Sequence, residues 1–339
     1  MKKILTLILF ALLLIGQLAA QVSYNPNITN VVKVTYNEAK EADVVIASNL
    51  QSYVTATVSG GAVSVVQKNT VSASTCGEII YQLKGSSANG SFYMEGGYKA
   101  TVELHGLTLV NPTGPAVNIV NGKRIEIRPI DGTISTLKDG TSSETDAWKS
   151  TLYCKGHIEF KDRGTLNVYG NYAHAVYSKE YMSIKNCTIN VCSAVKDALH
   201  CREYFLMESG KVSLSGFASD GIECNIDGTV STGETANHDA EDSGNIYIMG
   251  GSLFIDMTKS LGDSIKSDGQ QIISEDAYVD ILSSATELNS VYSTDQAVMV
   301  YNVLGVYLGR YESLQAVSDL PKGTYIIKSS SITRKISVL

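Results

Sequence analysis

Five phrases decide the fold: Ser150-Thr-Leu-Tyr-Cys-Lys155, His174-Ala-Val-Tyr-Ser-Lys179, Asp197-Ala-Leu-His-Cys-Arg202, Asp220-Gly-Ile-Glu-Cys-Asn225 and Asp263-Ser-Ile-Lys-Ser-Asp268. They recur at steps of 24, 23, 23 and 43 residues. Between them lie paired short alternating runs: Ile158-Glu-Phe160 with Leu166-Asn-Val168, Met182-Ser-Ile184 with Ile189-Asn-Val191, Phe205-Leu-Met207 with Val212-Ser-Leu214, and Ile246-Tyr-Ile248 with Leu253-Phe-Ile255. Three short strands per period is one coil of a parallel β-helix. A single coil cannot bury its apolar side, but stacking aligns ladders such as Leu152/Val176/Leu199/Ile222/Ile265 into a columnar core. The expected class is therefore all-β: a right-handed parallel β-helix.

Working outward, Gly114-Pro-Ala-Val-Asn-Ile119 reads as an earlier rung, with Val102-Glu-Leu104 and Ile125-Glu-Ile127 as its strands. Residues 21–80 are strand-like but lose the period, and are assigned to N-terminal coils and a cap. The 43-residue step holds an acidic, Gly/Thr-rich insertion over residues 225–244, a surface loop that either lines a binding face or has no role. Alternation turns Cys154, Ser178, Cys201, Cys224 and Ser267 inward. Cys201 and Cys224 then stand about 4.8 Å apart, compatible with a disulfide or with a ladder of buried thiols.

Composition agrees. The chain has 29 Gly, five Pro and one Trp, and no stretch keeps a helical period. A net charge of −7 argues against nucleic acid as a partner. Lys2 and Lys3, an apolar run from Ile4 to Ile15, and Ala19-Ala20 read as a signal peptide over residues 1–20. The run is shorter than the about 18 residues a membrane anchor needs. The domain body is expected over 21–287.

At the other end, Val298-Met-Val-Tyr-Asn-Val-Leu-Gly305, Asp319-Leu-Pro-Lys-Gly-Thr-Tyr-Ile-Ile-Lys328 and Lys335-Ile-Ser-Val-Leu339 read as alternating strands of a small β-sandwich over 288–339. This segment resembles a C-terminal type IX secretion sorting domain. The resemblance implies the type IX secretion machinery as a partner, and release or outer-membrane surface attachment.

A second resemblance covers about residues 80–270 and rests on Leu83-Lys-Gly-Ser-Ser-Ala-Asn-Gly-Ser91, Gly114–Ile119, Asn121-Gly-Lys-Arg124, Lys155-Gly-His157, Lys179-Glu180 and Asp220-Gly-Ile222. The chain resembles a bacterial family of secreted β-helix proteins that bind cellulose and polygalacturonate and are architecturally related to pectate lyases. The resemblance implies a polysaccharide partner, associated calcium and no common catalytic set. His174-Ala-Val176 and Asp263-Ser-Ile265 depart from the pattern and put ligand roles at those rungs in doubt.

Alternation also sets an outward row, Tyr153, Tyr177 and His200, beside the cations Lys155, Lys179 and Arg202. Flanking small residues Thr151, Ala175, Ala198, Gly221 and Ser264 would leave the surface flat. Aromatic faces stack on sugars and cations suit uronate carboxylates, which makes this the expected binding face. The alternative is a row of solvated, β-favouring side chains. Asp197, Asp220 and Asp263, with Glu223, recur where the chain leaves a turn. Stacked carboxylates need a bridge, for which calcium is suited, or else each Asp hydrogen-bonds its turn. The function expected is non-catalytic polysaccharide binding by a monomer. A calcium-dependent lyase with Lys179, Arg202 or Lys266 as base is the alternative, and a structural or adhesion protein a further one. A hydrolytic pair can be drawn from Asp197 and Asp220, but repeats supply such pairs freely.

Overall fold

The structure, a computed structural model, describes residues 29–38, 40–142, 149–228, 241–284, 297–312, 317, 320–328 and the strand backbone of 333–338. Residues 1–20, where a signal peptide is expected, and residues 229–240 of the insertion lie outside them. Among the described residues the chain is all-β, its one complete helical turn being Ser48–Leu50.

Each period contributes three strands, as the alternating runs require. One coil is Ser150–Cys154, Ile158–Phe160 and Thr165–Gly170; the next is His174–Ser178, Met182–Ile184 and Thr188–Ala194. Every strand pairs in parallel with its equivalent one period on, so the coils stack in a solenoid-like column. The first strands form one sheet, here the front sheet, running through Gly61–Gln67, Gly90–Glu95, Val117–Val120, Ser150–Cys154, His174–Ser178, Leu199–Arg202, Ile222–Asn225 and Ile265–Ser267. Second and third strands form the remaining walls. The insertion leaves the column between Ile222–Asn225 and Asn245–Ile248 without disturbing the pairing on either side.

Inside the column, Val117, Leu152, Val176, Leu199, Ile222 and Ile265 stand in register and are all buried. Ile158/Met182/Phe205/Ile246 and Leu166/Ile189/Val212/Leu253 line the other walls. Cys154, Cys201 and Cys224 point inward; Ser267, expected beside them, is half-buried because the last coils lose cover. Cys201 pairs in register with Cys224, and all six cysteines are free thiols.

At the N-terminal end, Asp43–Ile46 and Val54–Ser59 run antiparallel to their neighbours, so the stacking stops there in the expected cap region. At the other end, Val298–Asn302, Tyr307–Tyr311, Gly323–Lys328 and Thr333–Val338 form a small antiparallel unit with its own core of Val298, Val300, Val317 and Ile327.

Close stacking restricts side chains at the corners. A Cβ on Gly156 would meet the carbonyl oxygen of Lys123 at 2.4 Å, which explains glycine in Lys155-Gly-His157.

Candidate functional site on the front sheet

The outward row runs Tyr93, Asn118, Tyr153, Tyr177, His200, Glu223 and Lys266, one residue per coil. Tyr153 stacks on Tyr177 with centroids 5.8 Å apart, and Tyr177 on His200 at 4.7 Å, both pairs nearly coplanar in orientation. This corrects the expectation that ring faces would meet sugar. The faces of Tyr177 are covered by its neighbours along the column, so its edge and hydroxyl are what a ligand could reach. Tyr177 is buried and Tyr153 half-buried, and burial raises the pKa of both phenols.

Lys155 and Lys179 are exposed one coil apart beside this row. Arg202 differs: its guanidinium forms an ion pair with Asp227 at the root of the insertion. Asp227 and Gly228 in turn donate their backbone N–H groups to Asp242, at 2.7 and 2.8 Å, which ties the two ends of the loop together. The expected flat surface of small residues is also corrected. Thr151, Ala175, Ala198 and Gly221 are buried at the corner, where the Thr151 hydroxyl donates to the Tyr169 carbonyl at 2.9 Å.

The expected metal-binding carboxylates separate into two groups. Asp197, Asp220 and Glu223 bring oxygens within 4.8 Å of one another. Asp263 does not join them, because its side chain is exposed. Its backbone N–H donates to Asp220 Oδ1 at 2.7 Å, and the Asp220 N–H donates to Asp197 Oδ1 at 3.1 Å. Each buried Asp therefore holds the turn of the following coil, the alternative role.

The remaining oxygens are also engaged. Asp197 Oδ2 lies 3.0 Å from His174 Nδ1 and 2.9 Å from His200 Nδ1. Glu223 Oε2 lies 3.1 Å from His200 Nδ1. Lys266 Nζ donates to Glu223 Oε1 at 2.6 Å and to Asp220 Oδ2 at 3.2 Å. Burial would raise the Asp197 pKa, but the neighbouring His174, His200 and Glu223 outweigh it and hold the carboxyl well below the usual range. Glu223, then Asp220, hold the Lys266 ammonium above its ordinary range. Calcium takes six to eight oxygens and no nitrogen. Here every carboxylate oxygen already faces an N–H, an imidazole or an ammonium, so the residues as arranged do not fit that ion.

His174 occupies the turn position that Asp197, Asp220 and Asp263 hold in later coils. Its departure from the repeat was the available signal that it belongs to this site. A second group was missed altogether: the corner residues His157, Tyr181 and Tyr204, at the same 23–24-residue step, form a buried stack with centroids 4.0 and 4.7 Å apart. His157 is fully buried, with Nε2 2.9 Å from Glu180 Oε2 and 3.4 Å from Glu203 Oε2. Burial lowers the imidazole pKa, but the two glutamates outweigh it and push it up to about 9.

No curated protein matches the chain. The chain is similar to a solved structure described as the polysaccharide lyase-like protein from C. thermocellum, a gadolinium derivative. The identity is 16% and the TM-score 0.52, over 73% of this chain and 96% of that one. At that identity the likeness speaks for the fold. The family model described as carbohydrate-binding domain-containing protein matches residues 67–305, most of the described coils and the whole of the outward row from Tyr93 to Lys266. The chain belongs to that carbohydrate-binding domain-containing family.

Proposed function

We propose that this chain is an exported, non-catalytic polysaccharide-binding protein that lays an acidic glycan along the front sheet. The solenoid is read as a right-handed parallel β-helix, the C-terminal unit as a small sandwich serving type IX secretion, and the working form as a monomer. The observation that carries the reading is the pair of exposed cations, Lys155 and Lys179, set one strand spacing apart beside the edge of the Tyr153/Tyr177 stack. Cations in that setting suit carboxylates of a uronan, while tyrosine edges and hydroxyls hydrogen-bond sugar. Arg202, held by Asp227, contributes less to a ligand than its two counterparts.

A non-catalytic role is favoured because, of the groups that could do chemistry, Arg202, Lys266, Asp197 and Asp220 are committed; exposed Lys179 is read as a ligand cation. Lys266, a candidate lyase base, is held as an ammonium by two carboxylates. Asp197 and Asp220 are 2% and 4% exposed and hold turn N–H groups, which leaves them poorly placed for glycoside hydrolysis. Exposed Val303, Leu304 and Val306 in the C-terminal unit offer an apolar edge to the secretion machinery.

The test is retention of the full mature chain on polygalacturonate and on cellulose, with calcium or chelator, while absorbance of unsaturated products is followed. Retention on polygalacturonate without new absorbance is expected. Growth of that absorbance would make the chain a lyase, and absence of both signals would leave a structural or adhesion role.

A further inference from the structure

Two imidazoles and two carboxylates meet on the front sheet, and their arrangement suits a different ligand from the glycan. His174, Asp197, His200 and Glu223 come from three consecutive coils. Asp197 Oδ2 is 3.0 Å from His174 Nδ1 and 2.9 Å from His200 Nδ1, and His200 Nδ1 is 3.1 Å from Glu223 Oε2. A tetrahedral zinc sphere with ligands at 2.0–2.1 Å has edges of about 3.3 Å, within a few tenths of an ångström of these three contacts, and the donors of His174, Asp197 and His200 all lie within 4.8 Å of one another.

Hydrogen bonding alone leaves this arrangement incomplete. His174 is 6% exposed, and its Nδ1, aimed at Asp197, makes no hydrogen bond of acceptable geometry. Both rings bring the same nitrogen to the same carboxylate oxygen, while a second carboxylate closes on His200. A buried ring nitrogen that faces a carboxylate without a well-formed hydrogen bond is incompletely satisfied, and ligation would complete it.

We infer that His174, His200 and Asp197, with Glu223 as fourth ligand, form a site for a divalent transition ion of the zinc class, reached from the front sheet. Two nitrogens in four donors favour zinc, cobalt or nickel over calcium or magnesium. The surrounding groups fit such a sphere: the Asp220 N–H on Asp197 Oδ1 and the Lys266 ammonium on Glu223 Oε1 orient the two carboxylates from behind. Half-buried His200 and Glu223 leave a route in from solvent. An ion bound here would pin three coils together, so it would stabilise the folded chain as well as occupy the site. The inference does not depend on the glycan-binding reading.

The experiment uses the full mature chain, stripped with chelator and returned to chelator-free buffer. Zinc is titrated calorimetrically and cobalt by visible absorption. Uptake of one equivalent is expected, unaffected by millimolar calcium, with a rise in thermal midpoint. Cobalt should show the ligand-field bands of a tetrahedral nitrogen and oxygen site, without the sulfur charge-transfer band that capture by the free cysteines would produce. His174→Gln and His200→Gln should each weaken uptake by more than the roughly 10–100-fold that loss of an outer partner costs. Should either variant fail to fold, X-ray absorption of zinc on the unmodified chain must count two imidazoles. Failure to take up one equivalent, a thiolate signature, fewer than two imidazoles, or undiminished uptake by the folded variants overturns the assignment.

Discussion

Replacing His157 with glutamine removes a buried imidazole that two glutamates hold protonated, and the consequence depends on pH with a defined sign. In the unfolded chain the imidazole titrates near 6.5; in the folded chain Glu180 and Glu203 raise it to about 9 against the opposing effect of burial. A raised folded value means that the native state binds the extra proton between those limits. Its stabilisation is complete below about pH 6.5 and is lost as pH rises through about 9. At 1.36 kcal/mol per unit, the span corresponds to a ceiling of roughly 3 kcal/mol. Glutamine also loses the stack on Tyr181, but that loss is the same at every pH. Urea unfolding of the unmodified chain and of His157→Gln, from pH 6 to 10, should therefore show a gap that narrows steeply between pH 7 and 9. Titrating groups that do not touch His157 are common to both proteins and cancel in the difference. Parallel profiles, with a constant gap across the range, would refute the account of His157 as a buried cation.

Lys155→Ala with Lys179→Ala should weaken polygalacturonate retention at low salt while leaving the urea midpoint unchanged, since both side chains are exposed; equal retention by the double variant would remove the front sheet as the binding face. Leu199→Ala, in the centre of a fully buried ladder, should cost about 2–5 kcal/mol in chemical unfolding. Of the six thiols, half-buried Cys76 and Cys192 should react with an aromatic disulfide reagent in the native protein, and buried Cys154, Cys187, Cys201 and Cys224 only after denaturation. Burial pushes the Cys187 thiol up to about 12, so raising pH to 9 should not expose its reactivity.

Why some of this was legible in sequence and some was not follows from where the period acts. A repeat aligns equivalent positions one strand spacing apart, so the ladder from Leu152 to Ile265 and the row from Tyr153 to His200 follow from the period alone. Alternation then gives inside and outside for residues within a strand. It gives neither ring orientation nor the direction of a side chain at a corner. The stacking of Tyr177 between Tyr153 and His200 depends on side-chain torsions, which is why faces expected to meet sugar are covered instead. Thr151 and Ala175 sit where the front sheet turns against the strand Thr165–Gly170, and the period alone cannot tell that crowded edge from open surface.

The carboxylates show the same division most clearly. Asp197, Asp220 and Asp263 are equivalent by repeat, and equivalence predicts a uniform column. The column ends after Asp263, so that residue has no following turn in the front sheet to hold and its side chain stays exposed, while the two internal residues each cap the next coil. In the opposite direction the repeat is broken at His174, and the break is what converts a stack of acids into a mixed imidazole and carboxylate cluster. In a solenoid the period builds the scaffold, and chemistry is concentrated where the period is interrupted. His174 at the acid row, Gly156 and His157 at the corner row, and the insertion after Asn225 are all such interruptions. A variant that restores the period, His174→Asp, should therefore keep the fold while replacing a nitrogen donor with oxygen. Measured by competition between zinc and calcium, it should move preference toward calcium; unchanged preference would show that the interruption at His174 is not what sets the chemistry of the cluster.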